Sequence, residues 1–301
     1  MKAFIFPGQG AQTVGMFAPW LTNPTAAALL AELPQDLQII VAQGPEEALR
    51  QTTQAQPALY AVGYAAYAAY LAAGGRPADV VAGHSLGEYT ALAAAGVFSF
   101  TDGLRLVHAR ATAMAAAYPT GGAMAAVLGL EVATLEACCT PHGAVIANDN
   151  CPGQVVIAGA IAAVQAAGEA AKAAGAKRVI PLPVAGPFHS PLMAPAAAAL
   201  AAALEKTPFQ PPRCPVVLNT TAAPTQDPML IKAELLKQLT GRVRWRESVR
   251  ALAQHGATTV VECGVGQVLT GLVTKTAPEL PTKLHTLALT NPTEMANLLA
   301  L

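Results

Sequence analysis

Residues 121–187 change their apolar rhythm in an order that few folds accommodate. GAMAAVLGL (122–130) reads as a strand and residues 131–140 as a helix. AVIAN (144–148) and QVVIAG (154–159) read as strands around a turn at Cys151-Pro152-Gly153, and residues 160–174 as a helix stopped by Gly175. KRVIPLPV (177–184) closes the segment as a last strand.

That β-α-β-β-α-β order is the order of a ferredoxin-like module. Strand–helix units flank it on both sides. KAFIF (2–6) is a buried strand that ends in a Pro7-Gly8-Gln9-Gly10 loop. Tyr60, Tyr64, Tyr67 and Leu71 form a helical stripe within 57–73, read as core packing, and Gly74-Gly75 stops it. Asp79 to Gly83 is a short strand that runs straight into His84-Ser85-Leu86-Gly87-Glu88 and a helix through Ala95. Residues 103–117 and 195–206 read as helices, the latter with Pro195 in its first turn, and strands follow at 215–219, 258–263 and 284–289. The expected fold class is α/β: a large part, 1–120 and 188–301, with a mostly parallel sheet, and an inserted ferredoxin-like part at 121–187.

A chain of 301 residues with 53% hydrophobic and 12% charged residues buries a large interior. Lys plus Arg equal Asp plus Glu at 18 each, a balance that points to no nucleic-acid partner and no anionic membrane surface. The cysteines, Cys138, Cys139, Cys151, Cys214 and Cys263, have neither CxxC nor zinc spacing, so reduced thiols in the cytoplasm and no metal are expected. The start of the chain reads as a first strand rather than a signal peptide, and the alanine-rich runs are too interrupted to span a membrane.

Gly83-His84-Ser85-Leu86-Gly87 fits G-x-S-x-G, set between a strand and an alanine-rich helix. A sharp turn there exposes a serine hydroxyl, crowds the backbone so that glycines are required, and frees the Leu86 amide to meet an oxyanion. The serine needs a base. His189, in the Pro-flanked loop after the module, is the candidate; His84 adjoins the serine but is expected to turn away. Asp102, Asp149 and Asp227 lack a setting that would complete a triad. A Ser–His dyad with the imidazole held by a backbone carbonyl is the simpler expectation.

Over almost its whole length the sequence resembles the malonyl-CoA:acyl-carrier-protein transacylases of bacterial type II fatty acid synthesis and the related acyltransferase domains of polyketide synthases. The resemblance rests on Phe6-Pro7-Gly8-Gln9-Gly10-Ala11-Gln12, on the elbow with Glu88-Tyr89, and on Arg110 in VHARATAM. It continues through Asn148-Asp149-Asn150-Cys151-Pro152-Gly153-Gln154, Gly186-Pro187-Phe188-His189-Ser190, Gln238 ahead of Val243-Arg244-Trp245, and Glu262 to Leu269. Ala11, Cys263, Val265 and Gln267 depart from common family residues, away from the expected chemistry.

The resemblance implies an α/β-hydrolase-like large subdomain and residue roles. Ser85 would be the nucleophile, His189 the base and then the acid, and the Gln238 carbonyl the group that orients His189. The amides of Gln9 and Leu86 would form the oxyanion hole, and Arg110 would pair with the malonyl carboxylate. Phe188 would narrow the pocket at the acyl α-carbon. Asn148 and Asn150 lie where relatives line the acyl and pantetheine cleft. The implied substrates are malonyl-CoA and holo acyl carrier protein, with no cofactor and a monomeric enzyme. The carrier is acidic in this family. Lys172, Lys177 and Arg178, or Arg242, Arg244, Arg246 and Arg250, are the candidate docking charges. The rival readings are the acyltransferase subunit of a malonate decarboxylase, which usually departs from this elbow, and a serine hydrolase, which Arg110 argues against. A non-enzymatic carrier-binding module would leave the serine, histidine and arginine unexplained.

Overall fold

The computed structural model describes residues 1–184 and 186–300; Ala185, near the end of the segment expected to be inserted, and Leu301 lie outside the described residues. The strands are β1 (Lys2–Phe6), β2 (Val80–Gly83), β3 (Gly122–Leu128), β4 (Val145–Cys151), β5 (Gln154–Ala160), β6 (Arg178–Pro181), β7 (Val216–Val217), β8 (Pro224–Thr225), β9 (Thr259–Cys263) and β10 (His285–Leu289). The helices before the serine are α1 (Pro24–Leu30), α2 (Gln35–Gln43), α3 (Glu46–Arg50) and α4 (Thr52–Ala72). After it come α5 (Leu86–Ala94), α6 (Phe100–Ala117), α7 (Val132–Cys139), α8 (Ile161–Ala173) and α9 (Ala194–Lys206). The last are α10 (Pro228–Gln238), α11 (Trp245–Gln254), α12 (Val268–Thr276) and α13 (Met295–Leu299).

Two sheets organise the chain. The six-stranded sheet has the order β10-β9-β1-β2-β7-β8, parallel throughout except for the short β7–β8 pair. Its chain order runs outward one way from β1 through β2 to β7, and the other way through β9 to β10. Ligands of open α/β sheets bind beside such a reversal, beyond the carboxyl ends of the strands. The loops after β1 and β2 carry Gln9 and Ser85.

The four-stranded antiparallel sheet has the order β4-β5-β3-β6 and carries α7 and α8 on one face. This is the ferredoxin-like arrangement expected from the sequence. Strand periodicity divides its residues. Ala125, Val127, Ile146, Val155 and Ile157 form a small core of their own with Leu135 and Val164. Met124, Ala147, Val156 and Ala158 face the main core instead. That second face forms one wall of the cleft.

The tyrosine-striped helix begins at Thr52, earlier than its apolar pattern suggested, and Pro57 sits inside it. Tyr60 and Tyr67 are buried, with Tyr60 stacked on Phe100 at 5.5 Å and Tyr67 edge-on to Phe4 at 5.0 Å, so the stripe does pack the core. The five cysteines are free thiols. Among the described residues no helix is long and apolar enough to cross a membrane, and no group of three or more His, Cys, Asp or Glu side chains could hold a metal ion.

Candidate active site

Strand β2 ends in a turn that only close packing can hold. Ser85 has φ 54° and ψ −105°, a conformation that costs a β-carbon-bearing residue energy and persists where neighbours over-determine it. Asn219 clamps the turn on both sides. Its Oδ1 accepts from the Ser85 amide at 2.7 Å and its Nδ2 donates to the Gly83 carbonyl at 2.7 Å. Gln238 Nε2 donates to the Ser85 carbonyl at 3.0 Å. The flanking glycines are sterically required. A β-carbon on Gly83 would lie 1.9 Å from the Gly87 carbonyl, and one on Gly87 would lie 1.9 Å from the Phe6 carbonyl oxygen.

The turn aims the Ser85 hydroxyl at His189, whose Nε2 lies 2.7 Å from Oγ. His189 Nδ1 lies 2.8 Å from the backbone oxygen of Gln238. A carbonyl only accepts, so Nδ1 carries the proton and Nε2 is left free to take one from serine. Burial, and then the nearby Arg110 cation, push the imidazole down to about 3, so the ring is neutral at physiological pH. His189 also has a positive φ of 58°. The Ser190 hydroxyl fastens its loop by donating to the Pro187 carbonyl at 2.6 Å. The three aspartates are engaged or placed elsewhere. Asp102 lies in the first turn of α6 with Ser99 and Arg105, Asp227 caps α10, and Asp149 lies in β4 with its amide on the Val243 carbonyl.

Arg110 projects from α6 and is only 1% exposed. Its Nη1 donates to Gln56 Oε1 at 2.6 Å. Its Nη2 donates to Gln238 Oε1 at 3.0 Å and to Ser85 Oγ at 3.0 Å. The guanidinium lies over the Tyr89 ring at 5.3 Å from its centroid. Among the described residues no carboxylate reaches ion-pairing distance of it. A buried cation held only by neutral acceptors is costly and makes a ready site for an incoming anion.

A cavity of about 360 Å³ opens over these atoms, lined by Gln9, Ser85, Leu86, Arg110, Asn148, Phe188 and His189 among others. The amides of Gln9 and Leu86 have no acceptor among the described residues, so both are free to donate. Gln238 stands behind the wall rather than on it. Asn150 is buried and turns to His84, with Oδ1 2.8 Å from Nε2. His84 packs on Trp245 at 5.5 Å between ring centroids, while part of it lines the cavity.

Four contributors escaped the sequence reading. Asn219 clamps the elbow. Gln56 holds one side of Arg110 and is itself held by Thr52, Gln56 Nε2 donating to Thr52 Oγ1 at 2.6 Å and Thr52 Oγ1 donating to Gln9 Oε1 at 2.9 Å. Glu88, buried under the elbow, accepts from Gln238 Nε2 at 2.5 Å. Of these only Glu88 carried a visible signal, as the one acid in an apolar helix.

A serine on an over-determined turn, with a neutral imidazole and two free amides, defines an acyl-transfer enzyme of the serine type. The chain belongs to the acyl transferase domain family, which it matches over residues 3–296. It is 44% identical to the malonyl CoA-acyl carrier protein transacylase of Escherichia coli strain K12, over 99% of each chain. The crystal structure of an acyl-carrier-protein S-malonyltransferase from Burkholderia pseudomallei superposes with a TM-score of 0.95 at 43% identity, covering 100% of this chain and 99% of that one. A malonyl-transacylase solved in complex with its type II polyketide acyl-carrier protein superposes with a TM-score of 0.92 at 40% identity, covering 99% of both.

Proposed function

We propose that this enzyme moves a malonyl group from malonyl-CoA to the phosphopantetheine thiol of holo acyl carrier protein through a malonyl ester on Ser85. The observation that carries the reading is the buried Arg110, 3.0 Å from the nucleophile and with no directly paired carboxylate among the described residues. A plain ester or acetyl group gives that cation nothing to bind, whereas malonyl ends in a carboxylate that a guanidinium holds with two parallel hydrogen bonds. The kinship with malonyl transacylases points the same way.

In the first half-reaction Ser85 Oγ bonds to the thioester carbon while its proton passes to His189 Nε2. The carbonyl oxygen becomes an oxyanion facing the amides of Gln9 and Leu86. Collapse breaks the carbon–sulfur bond, and the imidazolium returns its proton to the departing CoA thiolate. In the second half-reaction the carrier thiol gives His189 its proton and attacks the ester, and the same steps run backward to regenerate serine. The Gln238 carbonyl holds Nδ1–H throughout. Phe188 and Asn148 shape the space beside the acyl chain, and Asn150 acts at one remove, through His84. The scheme needs no metal or redox cofactor. We further read residues 121–187 as a subdomain inserted between 1–120 and 188–301, and the enzyme as a cytoplasmic monomer.

The test is intact-mass analysis. Malonyl-CoA should add one malonyl mass to the enzyme, and holo carrier protein should remove it and gain the same mass. An adduct that holo carrier fails to discharge would contradict the proposal.

A further inference from the structure

Gln238 joins Arg110 to a second buried charge. Its Oε1 accepts from Arg110 Nη2 at 3.0 Å, and its Nε2 donates to Glu88 Oε2 at 2.5 Å. Arg110, Gln238 and Glu88 are each at most 1% exposed. One side-chain amide therefore separates a buried cation from a buried carboxylate, with little water to screen them. The carboxylate at the amide's donor end also turns its acceptor end toward the guanidinium. The remaining acceptor of Arg110 Nη2 is the serine hydroxyl itself, on the cavity side.

We infer that Glu88 is the resident counter-ion of Arg110 and a specificity-determining residue: its charge competes with the acyl carboxylate for the guanidinium and so sets the preference for malonyl over acetyl. This rests on the malonyl reading above.

The surroundings of Glu88 fit the role. Burial pushes its carboxyl up to about 7, against the Gln238 and Asn219 hydrogen bonds and the Arg110 charge, which lower it. From the elements packed on α5, Arg110 on α6 and Glu234 on α10 are the charged groups that act on it. Glu234 is itself tied to Lys237 at 2.6 Å and to Thr220 at 2.7 Å. Tyr89, next to Glu88 in the chain, and Tyr60, Tyr67 and Tyr70 of α4 are buried phenols, and Tyr64 a half-buried one, all pushed upward, away from neutral pH. Strands β1 and β2 offer Lys2 alone, at the opposite end from the elbow, with Nζ on the Leu298 carbonyl. His189, held by the same Gln238, is pushed far below neutrality and stays uncharged.

The sign follows directly. When a malonyl carboxylate pairs with Arg110, the guanidinium no longer stabilises ionised Glu88, whose affinity for a proton rises. Malonyl loading then takes up a proton that acetyl loading does not. The ratio of malonyl to acetyl loading falls as pH rises through and above the empty-site value of Glu88, by up to about tenfold for each pH unit by which malonyl raises that group. A malonyl carboxyl is ionised throughout this range, with an ordinary value of about 4.

The experiment is equilibrium loading of Ser85 from malonyl-CoA and from acetyl-CoA, read by intact mass between roughly pH 6 and pH 8. Ionisation of the released CoA thiol is common to both donors and cancels in the ratio. The wild-type ratio should fall severalfold with rising pH, and Glu88→Gln, which keeps an acceptor for Gln238, should show a high and flat ratio. A pH-indicator dye should register proton uptake by wild type with malonyl-CoA beyond that with acetyl-CoA, which tests the idea even if the variant does not fold. A flat wild-type ratio, or an unchanged slope in Glu88→Gln, overturns the inference while leaving the malonyl reading in place. Loading by acetyl but never by malonyl overturns both.

Discussion

The two sheets differ in where they bury polarity. Around the six-stranded sheet Glu88, Arg110, Asn219, Gln238 and Glu262 are fully or almost fully buried, and hydrogen bonds join the first four into one network with the serine turn. Under the four-stranded sheet the core is Ala125, Val127, Leu135, Ile146, Ile157 and Val164, and the sheet's buried polar residues Asn148, Asp149 and Asn150 are confined to the end of β4, where it meets Val243. One half holds reacting atoms against strain, and the other contributes shape. A partner lost from a buried network strands the group it leaves behind, whereas an apolar wall changes fit by the size of a methyl group. Substitutions in the first should therefore switch chemistry, and those at the second should retune it.

Arg110→Ala is the largest test of that division. Losing one partner of a desolvated charge pair typically costs about 2–5 kcal/mol, so malonyl loading should fall by tens- to thousands-fold. Acetyl loading, which makes no such pair, should fall far less. Parallel losses in both would make Arg110 a packing residue. Phe188→Ser comes next. Phe188 is buried at the cavity where the chain returns from the small module. Opening that wall should shift the methylmalonyl-to-malonyl ratio upward by about 1–3 kcal/mol at most, read as paired kcat/KM values. An unchanged ratio would remove Phe188 from the specificity pocket.

The smallest effect concerns the carrier protein, which the family resemblance leads one to expect to be acidic. Arg242, Arg244, Arg246 and Arg250 are each paired with a carboxylate, from Glu131, Glu136, Glu247 and Glu279. Lys172 pairs with Glu169. Lys177 and Arg178 have no ion-pair partner among the described residues and lie on the small module. Reversing both to Glu should raise the KM for carrier protein a few-fold, because rim charges act mainly on encounter. Loading from malonyl-CoA should change less. Equal sensitivity in both half-reactions would place carrier docking elsewhere.

The difference between the halves also governed how much could be read in advance. The module was legible because short runs of Val, Ile and Ala mark its strands, an alanine-rich stretch marks its second helix, and Gly or Pro separates them. The elbow was legible because close backbone approach leaves only glycine at Gly83 and Gly87. Helices as short as α1 and α3, of seven and five residues, leave no such trace. The polar network was harder still. Its members come from α4, α5, α6, α10 and the loop after β7, and no spacing in the chain announces that Asn219 will meet Gly83. The atom that orients His189 is a backbone oxygen, so its residue type was visible only through family resemblance.

The most direct measurement is where the acyl group sits. Enzyme loaded with malonyl-CoA, quenched, digested and mapped should carry malonyl on the peptide that contains Ser85, and Ser85→Ala should carry none while keeping its fold by circular dichroism. Malonyl found on a cysteine peptide, or undiminished in Ser85→Ala, would contradict the account.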